Sequence, residues 1–399
     1  MFREVISLAS RGLPIRVFTL YGPVRGGLAR EMRTGLPPVT RMGVPALADL
    51  LPSLWYWARR QPRLLVALSG AILCKPWYGL EKLGENLWAL LCSLRLAKWC
   101  REEEIGHIHA PWACGPATAA WAASRLTGIP FSFTARAWDI HPPDGALPEK
   151  IRDAALIRSE TRYNIPYLDR SAPGWRHKMT VTRNGVPMTA AGAAAVTMAS
   201  PVRLLTIGRF VGKKGFPVLL QACRLLKAAG FDFRLVMAGS GPLERQLHRL
   251  VQRWGLGRQV RFPGFVPYDR VPELFMAADI FVMPCIIDSS MDRDGIPTVL
   301  LEALLHRVPV IASRLSGIPE LIRHGETGVL AAPGDPGALA RAVLNLCRDR
   351  KTAQRMAGRG HREVMERFDS RKNCEKILAL YRSITPSETR VQQQAGGGP

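Results

Sequence analysis

The chain has 399 residues, of which 55 are Lys or Arg and 32 are Asp or Glu, so its formal net charge is +23. The hydrophobic fraction of 47% and the charged fraction of 22% are ordinary for globular proteins and exclude a disordered chain and a coiled coil, and the length excludes a disulfide-stapled mini-protein. The length predicts two domains. The basic excess either serves an anionic partner, such as a phosphorylated small molecule or an acidic membrane surface, or consists of solvated surface arginines. No zinc-finger spacing and no aromatic RNP run is present, so a nucleic acid is not an expected partner.

The eight cysteines and the N-terminal residues indicate a cytoplasmic protein. The cysteines include no Cys-x-x-Cys pair and have mostly apolar neighbours, which is typical of reduced core residues. Residues 1–12 become charged too early for a signal peptide. The longest stretch without Lys, Arg, Asp or Glu, residues 107–124, contains two prolines and many alanines, so no transmembrane helix is expected.

The first half of the chain alternates between helical and strand patterns. Apolar spacing predicts a helix over 2–11, a short strand at 15–20 and long amphipathic helices within 63–104. A strand at 105–110, a small-residue helix at 117–126 and a strand at 129–134 then form a βαβ unit. Residues 185–202 carry no charge and little bulk, which is typical of a connection between domains, and we place the linker at 188–202.

The second half repeats this alternation more regularly. Strands are predicted at 203–207, 233–238, 259–262, 280–283 and 308–312, and helices at 217–229, 243–254, 271–277 and 298–305. Alternating strands and helices predict a parallel sheet with helices on both faces. The fold class is therefore α/β, with two Rossmann-like, doubly wound domains and a cleft between them, and ligands are expected at the carboxyl ends of the strands.

A basic, glycine-containing turn lies between the first strand and the first helix of the second half. It reads GRFVGKKG from Gly208 to Gly215. Backbone amides and a helix N-terminus at such a turn attract anions. Arg209 could hold a phosphate through a bidentate fork and Lys214 could add a point charge. The alternative is a solvated basic turn without a ligand.

Two carboxylates, Asp294 and Glu302, flank the start of the helix predicted at 298–305. Asp294 precedes Gly295 in a loop and Glu302 lies on the helix, so both could face one pocket. Amides near residues 296–298 would point towards an anion, and carboxylates beside a phosphate site could accept hydrogen bonds from sugar hydroxyls. The alternative is two unrelated surface acids.

Together these segments resemble the retaining family-4 glycosyltransferases of the GT-B fold. The resemblance is carried by LLTIGRFVGKKGF (204–216), LVMAGSGPLERQL (235–247) and DRDGIPTVLLEAL (292–304), and in the first half by the segments at 107–141 and 157–168. It covers most of the chain and is strongest towards bacterial transferases that build exopolysaccharides. It implies an acceptor-side domain over 1–187, a nucleotide-sugar domain over 203–365, a helix over 366–385 that packs back on the first domain, and a disordered tail over 386–399.

The resemblance also implies roles for individual residues. Arg209 and Lys214 would hold the diphosphate of a UDP- or GDP-sugar, Glu302 would accept from the ribose hydroxyls, and Asp294 would accept from the donor sugar. The other implied substrate-binding residues are Gly208, Gly295, Ile296, Pro297, Thr298, Arg136 and Asp139. The acceptor would be a lipid-linked molecule or an oligosaccharide. The reaction would need no metal and no cofactor, and the leaving phosphate would take the acceptor proton without a protein base.

Three features depart from the family pattern. The family usually has histidine where this chain has Arg136, and glutamate where it has Asp294. The sequence also opens inside what is normally the first helix, so the first strand and part of the acceptor and phosphate site are expected to be missing. A noncatalytic GT-B protein that binds nucleotide or a partner enzyme is therefore the alternative function.

Two further features have competing explanations. His107 and His109 alternate along a strand, but no third ligand has suitable spacing, so packing or cleft lining is expected rather than a metal pair. Residues 1–100 contain 14 basic and 5 acidic residues together with many tryptophans. They could form a face that docks the protein on the inner surface of the plasma membrane, or they could be core stripes with solvated charges.

Overall fold

The computed structural model describes residues 2–22, 37–42, 44–77, 79–141, 145–188, 198 and 200–384. The chain divides into two compact units, with Met1–Thr182 and Arg371–Pro399 in unit 1 and Arg183–Ser370 in unit 2. Most of the predicted linker at 188–202 and all of the predicted tail at 386–399 lie outside the described residues.

The elements follow the chain in an alternating order. Unit 1 contains helices α1 Phe2–Ala9, α2 Leu50–Arg60, α3 Pro62–Leu73, α4 Leu80–Glu102, α5 Gly115–Thr127, α6 Leu147–Asp153 and α7 Ile165–Ser171. Its strands are β1 Val17–Thr19, β2 Val39–Arg41, β3 Ile108–Ala110, β4 Phe131–Ala135, β5 Leu156–Ser159 and β6 Met179–Val181.

Unit 2 contains strands β7 Val202–Ile207, β8 Phe233–Ala238, β9 Val260–Gly264, β10 Ile280–Met283, β11 Val310–Ser313 and β12 Val329–Ala331. Its helices are α8 Phe216–Ala228, α9 Glu244–Arg253, α10 Val271–Met276, α11 Thr298–Leu305, α12 Pro336–Arg348 and α13 Arg350–Arg367. The last described helix, α14 Ser370–Ile384, lies almost entirely in unit 1.

Unit 1 is built on a four-stranded parallel sheet with the order β3-β4-β5-β6, and β1 and β2 form a separate parallel pair. Phe131, Phe133 and Ile157 are fully buried and belong to the main core of this unit. The alanine-rich helix α5 lets α4 approach closely, because the distance between packed helices depends on the side chains at their contact.

Unit 2 has six parallel strands in the order β12-β11-β10-β7-β8-β9. Counted from β7, this is the strand order of a Rossmann sheet, which winds outwards in both directions from its centre. Apolar residues such as Leu204, Phe233 and Ile280 are buried in its core. The predicted α/β class with parallel sheets is confirmed.

The long amphipathic helices predicted within 63–104 correspond to α3 and α4 of unit 1. The amphipathic pattern over 63–104 is interrupted between α3 and α4, where Pro76 lacks an amide proton and Gly79 adopts a φ of +94°. Among the described residues, no helix combines the length and the apolar character that a membrane crossing requires.

Candidate functional site

The strand order of unit 2 reverses between β7 and β10, and the loops that follow these two strands lie side by side. One loop runs from Gly208 to α8 and the other runs from Pro284 to α11. Ligands of doubly wound sheets bind outside the carboxyl ends of the strands at this kind of reversal. The topology therefore brings the two sequence motifs of unit 2 together.

The loop after β7 is held against the neighbouring β8 loop by backbone hydrogen bonds. The amide of Gly208 donates to the carbonyl of Ala238 at 3.0 Å, and the amide of Phe210 donates to Ser240 at 2.8 Å. A Cβ atom on Gly239 would lie 2.0 Å from the Gly208 carbonyl oxygen, so this approach requires glycine. Phe210 is fully buried, whereas Arg209 beside it is exposed at the tip of the turn.

Gly215 joins the two loops of the site. It has a φ of +65°, and a Cβ atom at this position would lie 1.9 Å from the carbonyl oxygen of Pro284. Next to this contact, the amide of Ile286 donates to the carbonyl of Lys213 at 2.9 Å. A side chain at 215 would therefore separate the basic turn from the acidic loop.

Two lysines of the turn form ion pairs with two aspartates of the acidic loop. The Lys214 Nζ atom lies 2.8 Å from Asp294 Oδ2, and Lys213 Nζ lies 3.0 Å from Asp292 Oδ2. Lys213 Nζ also lies 3.6 Å from Asp294 Oδ1. The Cys285 thiol donates to Asp294 Oδ2 at 3.4 Å. Because each lysine faces an acid, the side-chain charges of this group nearly cancel.

The pKa values of Asp292 and Asp294 shift in opposite directions, although burial raises both. Burial opposes ionisation of Asp294, but the nearby charges of Lys214 and Lys213 outweigh it and lower the pKa of this carboxyl. At Asp292 burial dominates over the attraction of Lys213 and raises the pKa. Burial also opposes the charged form of Lys214, yet the attraction of Asp294 raises its pKa. Lys214 and Asp294 therefore carry opposite charges at neutral pH.

Arg209 supplies the uncompensated positive charge of the site, because it forms no ion pair with any part of the chain that the structure describes. Lys214 packs against Gly208, since a Cβ atom on Gly208 would lie 3.5 Å from Lys214 Cε. The ammonium group of Lys214 has three donors and needs only one for Asp294. A diphosphate at this turn could therefore pair with Arg209, which has no acid partner among the described residues, and share the Lys214 ammonium group with Asp294.

Helix α11 provides the opposite wall of the site. It begins at Thr298 directly after Gly295, Ile296 and Pro297, and no side chain caps its N-terminus. The amides of Thr298 and Val299 have no acceptor within the helix, whereas the Leu300 amide donates to the Pro297 carbonyl at 3.0 Å. This end of the helix carries the positive end of the dipole. Glu302 lies one turn further along and is buried, with 9% of its surface exposed.

The other two predicted site residues, Arg136 and Asp139, belong to unit 1 and follow β4. Both carboxylate oxygens of Asp139 accept hydrogen bonds from backbone amides, including those of Ala113 at 2.8 Å and Ala137 at 2.9 Å. The pKa of Asp139 is raised overall, because the effect of burial exceeds the lowering effect of these hydrogen bonds. Asp139 thus shapes two loops, and its predicted contact with substrate stays a prediction.

Arg136 is held by a second acid that the sequence analysis did not identify. Its Nη1 atom lies 2.5 Å from Glu160 Oε1, and its Nε atom donates to the carbonyl of Pro111 at 3.1 Å. Burial raises the pKa of Glu160, and the charge of Arg136 opposes this rise. Glu160 directly follows strand β5, which the sequence analysis did not predict, so the expectation of functional residues at strand ends could not identify it.

His107 and His109 lie in a polar layer of unit 1. The two ring nitrogens of His109 bond to Ser132 Oγ at 2.8 Å and Thr134 Oγ1 at 3.1 Å, and both histidines contact the ring of Tyr381. Burial lowers the pKa of His107 to about 4. This geometry agrees with packing. No group of three or more His, Cys, Asp or Glu side chains within the described residues could hold a metal ion.

Several known proteins are similar to this chain. Residues 199–363 match the family model described as glycosyl transferases group 1. The amylovoran biosynthesis glycosyltransferase AmsK of Erwinia amylovora is 37% identical over 43% of this chain and 45% of its own length. The alpha-D-kanosaminyltransferase of Streptomyces kanamyceticus is 26% identical over 95% of this chain and 97% of its own length.

The fold comparison extends over both units. The structure of HepE from Anabaena in complex with UDP and glucose has a TM-score of 0.72, covers 96% of this chain and 95% of its own, and is 18% identical. This similarity shows a GT-B type fold. The match to the first curated relatives spans about half of their length. Residues 199–363 form a glycosyl transferases group 1 domain.

Proposed function

We propose that the chain is a retaining glycosyltransferase that moves a sugar from a UDP- or GDP-sugar to a lipid-linked or oligosaccharide acceptor in cell-surface polysaccharide synthesis. The observation that carries the proposal is the pairing of the Gly208–Lys214 turn with the start of α11 at the sheet reversal of unit 2. The names of relatives such as the amylovoran transferase support the polysaccharide assignment.

The proposed donor site has a distinct role for each group. Arg209 and the shared Lys214 neutralise the diphosphate, and Glu302 accepts hydrogen bonds from the ribose. Asp294 keeps Lys214 in place and accepts from a hydroxyl of the donor sugar. Gly208 lets the Lys214 side chain lie against the backbone of the turn that holds the phosphate, and the amides that follow Pro297 add further donors.

In the proposed reaction the bond between the sugar C1 atom and the diphosphate oxygen breaks while a bond to the acceptor oxygen forms on the same face. The acceptor proton passes to the departing phosphate oxygen, so no protein base is required. The positive charge at Arg209 stabilises the negative charge that develops on the leaving group. The proposal includes no metal ion or other cofactor.

Arg136 has a supporting electrostatic role in this proposal. A guanidinium stays protonated and cannot act as a general base. Its contacts with Glu160 and Pro111 fix its orientation in unit 1. An Arg136→His variant restores the residue that the resembled family usually carries, so it tests whether the arginine adapts the protein to a particular substrate.

The test is release of nucleoside diphosphate from a panel of UDP- and GDP-sugars, with a bacterial lipid extract as acceptor and with EDTA in a parallel series. We expect release with one donor class, unchanged by EDTA, and loss of at least about ten-fold in Arg209→Ala. The matched control is Arg258→Ala, which removes an exposed arginine elsewhere in unit 2. Nucleotide binding without turnover under all conditions would contradict the enzyme proposal and favour a noncatalytic binding protein.

A further inference from the structure

We propose that the outward surface of α2 and α3 docks unit 1 on an anionic lipid bilayer. This surface, called the α2–α3 face, comprises Leu51, Leu54, Trp55, Arg59, Arg63 and Val66. It does not depend on the proposed sugar transfer, because the residues that bind the nucleotide in that proposal lie in unit 2.

The α2–α3 face exposes large apolar side chains. Leu51 is 72% exposed, Trp55 is 61% exposed and Val66 is 74% exposed. Single exposed apolar residues are common, but several on adjacent helices form a patch that usually marks a binding surface. The helices therefore present apolar groups that folding alone leaves in water.

Positive charge borders this apolar surface. Residues 50–80 contain Arg59, Arg60, Arg63 and Lys75 and no Asp or Glu. The Arg59 guanidinium carbon lies 3.9 Å from the ring centroid of Trp55, and that of Arg60 lies 3.8 Å from the ring centroid of Tyr56. Lys75 pairs with Glu149, whereas the three arginines form no ion pair with the described residues. Within the α2–α3 face itself, the ring of Trp55 lies beside Arg59, and Arg59 and Arg63 form no ion pair with the described residues.

The opposite side of the same helices is anchored in the core. Trp57 is fully buried and its indole Nε1 atom donates to the carbonyl of Leu94 at 3.0 Å. Leu68 and Ile72 of α3 are buried as well. Because buried residues anchor the core-facing side of both helices, the exposed residues on the other side keep their positions. Binding at this surface therefore requires no refolding.

These features favour an anionic lipid surface as the binding partner of the α2–α3 face. Tryptophan, leucine and arginine on one helix face suit the boundary between acyl chains and headgroups, where rings and aliphatic stems are buried and guanidinium groups reach phosphates. A second copy of the chain would bring the same arginines together and would be repelled. Binding would be interfacial, since among the described residues no helix could span the bilayer.

The test is vesicle cosedimentation of the full chain with mixed phosphatidylglycerol and phosphatidylcholine vesicles and with pure phosphatidylcholine vesicles. Each basic residue near an anionic surface strengthens binding about five-fold, so Arg59→Glu with Arg63→Glu should weaken it at least about 30-fold. The matched control, Arg258→Glu with Arg261→Glu, changes the net charge equally but places the change on exposed arginines of unit 2. It should retain most of the binding.

A second pair of variants tests the apolar contribution. Leu51→Ser with Trp55→Ser should weaken binding to the mixed vesicles, whereas Leu225→Ser, at a residue of unit 2 that is 41% exposed, should not. Circular dichroism confirms that each variant is folded. Equal weakening by the two arginine pairs, equal binding to neutral vesicles, or no binding to either vesicle would overturn the proposal. Calorimetric titration with nucleoside diphosphate without lipid tests the donor site separately.

Discussion

The ion pair between Lys214 and Asp294 can be tested by a double-mutant cycle with Lys214→Met, Asp294→Asn and both changes together. The two charged atoms lie 2.8 Å apart, and the side chains are only 13% and 15% exposed. Each single change leaves the other group partly buried without its charge partner. The double change removes both charges, so part of the loss should be recovered.

The structure sets the size of the effect. Removing one member of a buried ion pair costs about 3 to 5 kcal/mol. Lys213 lies 3.6 Å from Asp294 and can partly replace Lys214. We therefore expect each single variant to lower the free energy of unfolding by about 2 to 3 kcal/mol, with a coupling energy of about 1 to 2 kcal/mol.

The assay is urea denaturation of the full chain at several pH values, following the transition that the substitutions shift. The pKa of Asp294 is lowered from 3.8, so its contribution is present above that pH and is lost as the pH falls through the lower folded value. The pKa of Lys214 is raised from 10.5, so its contribution is present below that pH and is lost as the pH rises through the higher folded value. The coupling energy should be largest between these limits.

The control is Arg258→Met, an exposed residue of the same unit, which should change the free energy of unfolding by no more than about 0.5 kcal/mol. Additive single changes at neutral pH, or a coupling energy that stays the same at pH 3 and pH 7, would refute the account of the pair.

Two other predictions concern stability. Gly215→Ala should destabilise unit 2 by at least about 1 to 2 kcal/mol from the left-handed conformation alone, and the added Cβ atom also clashes with the Pro284 carbonyl. The control Gly257→Ala places its Cβ atom in open space and should not destabilise the unit. Equal melting temperatures of the two variants would contradict this prediction. The pKa of His107 is lowered from 6.5 to about 4 by burial, so the unfolded chain takes up a proton first and stability falls as the pH drops from 6.5 to 4. His107→Phe should flatten this fall in melting temperature, and an unchanged slope would contradict the assignment.

The sequence predicted the sheet of unit 2 well because its periodicity is local and complete. The strands at 233–238 and 280–283 and the helix at 298–305 have the predicted bounds, and the other predicted elements there differ from the structure by at most two residues at either end. In unit 1 the strands β5 and β6 were missed, since four and three residues between short helices give little periodic signal.

The contacts within the site could not be predicted in the same way. Lys214 and Asp294 were each assigned to substrate, but the sequence contained nothing to show that these residues, 80 positions apart, pair with each other. The Arg136 to Glu160 contact likewise joins the ends of two strands and depends on their register. Long-range pairing follows from the sheet topology, which local patterns determine only in part.

The most direct test of the account is calorimetric titration of the full chain with UDP and with GDP. We predict that one of the two nucleotides binds the unmodified chain. Arg209→Ala should weaken this binding about ten-fold or more, because a charge-assisted hydrogen bond contributes about 1.5 to 3 kcal/mol. Arg258→Ala should not change the affinity. Equal affinity in the Arg209→Ala and Arg258→Ala variants, or no binding of either nucleotide to the unmodified chain, would contradict the assignment of the Gly208–Lys214 turn as the diphosphate site.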